Sequence, residues 1–337
     1  MIVETYFQKH SFAKDAQRII DELILKLKFR IDRPLFRGNI YDASRLESII
    51  FRGVWKKKDV VLKIQGLRLP RDEKDLTDAF TEQNQSARIR TPHIYKHAPW
   101  DESKGYGFTL MEYIDAPALL SMPVPQQTEI DLFMRFFTEL KTKAVTSPWI
   151  EKTEHQQSSV RFIRHRITQW IAIAKDRGHF DAELLAPRIE AFNERLENEH
   201  PEIPMEFMHS HMTGREVRYI QDRDQFILFG NLFWDWRPKY YDCAFVIWNL
   251  LKHPDAPATN DTAAISVINE WKKRFVSLPW IASDQLFPSM FDMMMLERLL
   301  GTLIIDIEAQ DYKQETDKQA LFERLLAAFD ALVKNSI

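Results

Sequence analysis

The chain has 337 residues, enough for about two domains at ~150 residues each, and its 46 basic against 49 acidic residues leave a net charge of −3. That balance argues against nucleic acid or an anionic membrane as the main partner. An apolar fraction of 45% with 12% aromatics supports a sizeable core and excludes disorder.

The single cysteine, Cys243, excludes an intrachain disulfide and a multi-cysteine metal cluster, and suits a cytoplasmic compartment. The opening residues, MIVETYFQKH, lack the apolar core of a signal peptide. No apolar run reaches the ~18 residues of a membrane span. Only nine glycines occur, under half the usual ~7%. There is no GxxxxGK[ST] and no GxGxxG, so a glycine-dense phosphate cradle is missing. The one GxG, Gly105-Tyr-Gly107, falls in an expected hairpin turn.

In chain order, Ser11 is placed to cap a helix whose apolar residues, Ile19, Ile20, Leu23, Ile24 and Leu27, recur at helical spacing. The segments 49–55 and 60–65 read as a hairpin turning at 56–59. A polar stretch, 70–90, has helical propensity. Residues 93–100 and 106–114 read as a second hairpin, so that strands surround one helix over about 30–115. After Pro125 the pattern predicts helices at 127–144, 158–177, 181–199, 241–252, 260–277, 286–309 and 315–334, with one β island at 217–232. The expected fold is α+β and two-lobed, with an N-terminal lobe over 1–115 and a helical C-terminal lobe over 116–337.

Three segments carry candidate chemistry. Lys63 lies on a strand between apolar neighbours, where it either faces solvent or enters a pocket and meets an anion. Glu82 on the following helix is the candidate partner, and a lysine held by a helix carboxylate is a nucleotide clamp. Next, His209 and His211 stand two apart in HSHMTGRE. They suit metal ligation, proton transfer or packing, and zinc lacks a third ligand. Last, Trp234-Asp-Trp-Arg-Pro-Lys-Tyr-Tyr-Asp242 alternates aromatics with charge. As structure, it is a core-docking loop with Arg237 reaching solvent and Asp242 favouring a helix start. The C-terminal tryptophans and Met293-Met-Met295 read as core, or as the aromatic wall of a site for a cationic or sugar-like ligand.

Taken together, VVLKI, TEQNQSARIRTPHIY, FTLMEYIDAPAL, HSHMTGRE, FILFGN and YYDCA resemble, in this order, the motifs of the aminoglycoside phosphotransferase and choline kinase branch of the protein-kinase-like fold. The resemblance spans about residues 35–250. It implies ATP or another nucleotide, with the adenine near the backbone of Glu112 and Tyr113 and with Lys63 and Glu82 as the clamp. It also implies departures. His211 falls at the catalytic aspartate position, Glu216 at the metal-binding asparagine, and Gly230 at the principal metal-binding aspartate. The phosphate loop, 42–46, has no glycine, and Arg45 is its candidate charge. Magnesium would fall to Glu216, with Asn231 or Asp235 as a second donor.

Three readings stay open. One is a degenerate phosphotransferase-like protein, a pseudokinase that binds a nucleotide or small ligand. Another is an active small-molecule phosphotransferase with altered acid–base and metal residues, His211 accepting the proton. The third is a kinase-shaped scaffold for a protein partner.

Overall fold

The computed structural model describes residues 12–38, 48–66, 68–121, 124–144, 147–199, 203–252, 261–307 and 315–334. Ser11 and the whole of the loop with Arg45 lie outside them. Helix α1 (Phe12–Leu27) precedes a five-stranded antiparallel sheet of β1 (Arg30–Gly38), β2 (Ser48–Trp55), β3 (Lys58–Gln65), β5 (Ile94–Asp101) and β6 (Tyr106–Glu112) in the order β1-β2-β3-β6-β5. Between β3 and β5 come helix α2 (Glu73–Gln83) and a two-residue strand, β4 (Ile89–Arg90). Strand alternation divides β3 as the pattern requires. Val60, Leu62 and Ile64 are fully buried against α1, whereas Val61, Lys63 and Gln65 face the other way.

The first hairpin turns on Lys56 and Lys57 alone, both at positive φ, and Lys58 and Asp59 already belong to β3. Two left-handed residues give a turn twist that matches the strands, here without the usual asparagine or glycine. In the second hairpin Gly105 takes a φ of +72°, so the GxG serves the turn.

The larger lobe begins with α3 (Gln127–Glu139), closed by a π-turn at Leu140–Ala144, and continues with α4 (Ser159–Asp176) and α5 (Ala182–Glu199). Strands β7 (Met205–His209), β8 (Val217–Ile220), β9 (Gln225–Leu228) and β10 (Trp234–Pro238) follow. Helices α6 (Tyr241–Leu251), α7 (Asp261–Val276), α8 (Pro279–Ala282), α9 (Phe287–Gly301) and α10 (Glu315–Lys334) complete it. The Trp234 segment, expected as a core-docking loop, begins instead with a strand paired to the His209 segment, with Trp234 opposite His209 and Trp236 opposite Phe207. The tryptophans Trp170, Trp234, Trp248 and Trp271 and all of Met293–Met295 lie in one apolar core. Among the described residues no helix is long and apolar enough to cross a membrane.

Two features join the lobes. Strand β4 pairs in parallel with β9, Ile89 beside Phe226, and Arg90 reaches Gln225 and makes a bidentate pair with Glu112. Helix α2 buries Phe80 in the core of the larger lobe, stacked on Trp234 at 5.2 Å.

Asp242 sits in the first turn of α6, 1% exposed, and accepts from the Cys243 amide. Its other oxygen meets Lys141 Nζ at 2.6 Å. Removing one partner of such a pair strands the other charge away from water. Asp242→Ala is therefore expected to cost about 3–5 kcal/mol, measured by urea unfolding, and replacing both partners (Lys141→Met with Asp242→Leu) to recover most of it. A wild-type midpoint for the single variant would deny Asp242 a structural role.

Candidate functional site

Lys63 projects from β3 towards the first turn of α2, where its Nζ meets Glu73 Oε2 at 2.5 Å. Glu82, the carboxylate expected there, is exposed near the far end of the same helix. The spacing explains the correction. Nine residues at 100° each turn Glu82 half a revolution away from Glu73. The helix start is fixed by Asp72, which caps the Lys74 amide at 2.8 Å and accepts from His97, itself bonded to Thr109 on β6. The first turn of α2 is thus tied to the sheet at two points.

The segment from β7 to β8 carries the second group. Gly214 lets this loop approach the backbone after β6, since a Cβ there would fall 2.2 Å from the Leu119 carbonyl oxygen. His211 stacks on Phe233 at 4.2 Å, and its Nδ1 lies 3.4 Å from Glu216 Oε1, an ion-pair separation rather than a hydrogen bond. Burial pushes the Glu216 carboxyl up, but His211, His209 and Lys63 outweigh it and hold it below the usual carboxylate range. Glu216 is therefore ionised at neutral pH.

Gly230 adopts a φ of +66°, and a Cβ on it would meet Glu216 Oε2 at 2.8 Å. The Glu216 carboxylate fills the space that a side chain at 230 would enter. The other predicted oxygen donors are committed elsewhere. Asn231, 2% exposed, donates to the Leu228 carbonyl and accepts from Trp234 Nε1. Asp235 accepts from Gln156 and Arg237 and lies 3.7 Å from Arg71 of the small lobe. Arg237 is correspondingly half-buried and paired with Asp235 rather than snorkelling to solvent. Among the described residues no group of three or more His, Cys, Asp or Glu could hold a metal ion.

At the hinge, the Glu112 carboxylate is clamped by Arg90 and its amide donates to His93 O at 2.8 Å. The Tyr113 amide reaches Asp59 O at 3.4 Å, and its ring lies under the Arg52 guanidinium at 4.1 Å. The amides of both residues are thus engaged within the chain.

One cleft residue had no sequence signal beyond its charge. Arg218 on β8 lies 5.5 Å from the Phe229 ring and donates to the Arg215 carbonyl. Burial lowers its pKa while Glu216 and Tyr113 nearby favour the cation. Lys63, His211 and Arg218 each lie near enough to feel the Glu216 carboxylate, so the lobe junction gathers two cations, a carboxylate and an imidazole.

A small antiparallel lobe whose lysine is held by a helix carboxylate, joined to a helical lobe that presents this loop, has the two-lobed protein-kinase-like fold. Among solved structures, aminoglycoside phosphotransferase APH(4)-Ia is similar over 96% of this chain and 99% of that one, with a TM-score of 0.61 at 13% identity. Plasmodium vivax ethanolamine kinase is similar over 97% of each chain (TM-score 0.57, 9% identity). Choline kinase from Cryptosporidium parvum covers 95% and is itself covered over 97% (TM-score 0.56, 15% identity). A thermostable mutant of APH(4)-Ia has been crystallised with ADP and hygromycin B. No family model and no curated protein matches the chain.

His209 differs from His211. It is 1% exposed, and its Nε2 donates to the Phe229 carbonyl at 3.1 Å. Burial, with His211 adding to it, pushes its pKa down to about 4. The unfolded chain, with an ordinary value near 6.5, then binds the proton more tightly than the folded one. Stability contributed by neutral His209 is complete above pH ~6.5 and is lost as pH falls towards 4, by up to about 3 kcal/mol. His209→Gln should flatten this acid limb in unfolding curves taken from pH 7 to 4. A variant with the wild-type slope would place the titration elsewhere.

Proposed function

We propose that this protein is a degenerate phosphotransferase-like pseudoenzyme that binds a nucleotide, or a small phosphorylated ligand, without magnesium and without transferring the phosphoryl group. The observation that carries this reading is the state of the oxygen donors. Gly230 has none, the Asn231 amide and the Asp235 carboxylate serve the fold, and Glu216 alone remains beside His211. Phosphoryl transfer depends on positioning and on neutralising charge at the transferring group. One carboxylate without a second donor does neither well. Binding is better provided for, because Lys63 stands beside Glu73 and Arg218 adds a second cation. The crystallised complex of the APH(4)-Ia mutant with ADP makes a nucleotide the first ligand to try.

The active-enzyme reading has one observation in its favour. Glu216 is ionised and occupies the space over Gly230, so a carboxylate still stands where residue 230 would direct one.

Thermal shift with ADP and ATP, each with and without magnesium, separates the readings. Ligand at ~100 Kd adds about 2.7 kcal/mol and moves the Tm by several degrees. The expected result is a magnesium-independent shift, at least tenfold weaker in affinity in Lys63→Met. A shift that requires magnesium, together with turnover lost in Glu216→Gln, would establish the active enzyme instead. No shift with any nucleotide would leave the kinase-shaped scaffold.

A further inference from the structure

A cavity of about 170 Å³ lies in the small lobe at the strand ends away from the hinge, where Gln65 of β3 pairs with Gly107 of β6. The start of α2 forms one side of it, and none of Glu112, Tyr113, His211, Glu216 or Gly230 lines it. Its outer wall is a bulge in β5. Pro99 and Trp100 stand opposite Gly107 alone, and a Cβ on Gly107 would fall 2.7 Å from the Trp100 backbone nitrogen. The glycine therefore lets the bulge close over the sheet end, and bulges of this kind re-aim side chains. Pro99, Trp100 and Phe108 give the cavity its apolar side.

The opposite side is basic. Lys63 is paired with Glu73, and Asp72 is taken by the Lys74 amide and by His97. Two guanidiniums are less committed. Arg71 comes no nearer than 3.7 Å to Asp235, whose carboxylate is already held by Arg237 at 2.8 Å. Arg68 is exposed, stands 5.8 Å from the centre of the Trp100 ring, and makes no ion pair among the described residues. Lys63, Arg68, Arg71 and Arg237 thus face Asp72, Glu73 and Asp235, which leaves one positive charge in surplus before any on His97.

Two planar donor groups, one surplus positive charge and an apolar wall select one ligand class. We propose that this cavity binds a small carboxylate, a monoanion on a flat apolar or aromatic frame. Its two oxygens meet the paired N–H groups of Arg68 and Arg71, and the frame lies against Pro99 and Trp100. A phosphate monoester carries about two negative charges and would set the second against Asp72 and Glu73. A neutral amide lacks the charge, and a cation would face both guanidiniums. The assignment is independent of what binds between Lys63 and Glu216.

Isothermal titration of the full chain with benzoate, benzamide, acetate and phenyl phosphate tests it. Benzoate is expected to bind about tenfold or more tightly than benzamide, which keeps the frame without the charge, and than acetate, which keeps the charge without the frame. Phenyl phosphate should bind more weakly than benzoate. Arg68→Gln should cost benzoate about tenfold, and Arg68→Lys, which keeps the charge without the planar donors, should recover only part of that. Arg68 is exposed, so both variants should keep the wild-type Tm. Trp100→Leu should weaken benzoate and benzamide alike. No benzoate binding, equal affinities for benzoate and benzamide, tighter binding of phenyl phosphate, or benzoate affinity unchanged in Arg68→Gln and Arg71→Gln would each overturn the assignment.

Discussion

The ion pair between Lys63 and Glu73 is the junction on which the cleft depends. Its lysine belongs to the sheet and its glutamate to the first turn of α2, but α2 is not a sheet helix in its packing. Phe80, two turns further on, is buried in the core of the larger lobe against Trp234. The helix is therefore held at one end by polar contacts to the small lobe and along its length by apolar contacts to the large one. Asp72 with His97 and Thr109 repeats the polar attachment. Any shift of one lobe relative to the other must pull on Glu73, so the position of the cleft lysine reports how the lobes sit. The parallel β4–β9 pair and the Arg90–Glu112 clamp, with Arg90 also reaching Gln225, are further ties between the lobes.

Much of this was legible from the residues, and the exceptions have physical reasons. The large-lobe helices follow from 3.6-residue periodicity over long segments, where tertiary packing and pattern agree. The β2–β3 hairpin follows from β-branched runs, although its turn uses two lysines in a conformation glycine or asparagine usually fills. Strand β1 was hidden because it is an edge strand with Pro34 and two irregularities in its register, and edge strands need no continuous apolar face. Strands β7 and β10 are short and rich in aromatics and charge, so their pairing is a tertiary fact that no local period announces. The Lys63 clamp was readable as a type of interaction but not as a pair. Glu73 and Glu82 both lie on one helix, and only its capped start at Asp72 decides which of them faces the sheet.

The same separation between residue type and commitment governs the site. Asn231 and Asp235 are the right chemistry for a hard cation, and sequence alone cannot tell that both are already spent. Burial makes the difference, because an unpaired amide or carboxylate away from water is costly and the fold supplies partners before any ligand can. Trp234 Nε1 takes the Asn231 oxygen and Arg237 takes Asp235. The aromatics that fill this lobe are thus part of the reason its polar residues are unavailable. Arg218 is the converse case. A surface-type residue on a short strand becomes a cleft residue because Phe229 and the neighbouring backbone leave it partly covered.

Gly230 and Glu216 are best treated as one feature. The left-handed backbone at 230 disfavours a side chain on conformational grounds, and the Glu216 carboxylate 2.8 Å from the would-be Cβ disfavours it sterically. An aspartate returned to 230 would meet both obstacles and bring a second negative charge against an ionised carboxylate. Shortening Glu216 alone would instead empty the space and leave His211 without its carboxylate, with Lys63 losing a nearby counter-charge. Neither residue can change independently without a cost to the other. Gly230 and Glu216 therefore sit in a self-consistent arrangement, and the balance of charge around them, with Lys63 and Arg218 against Glu73 and Glu216, is set by that coupling.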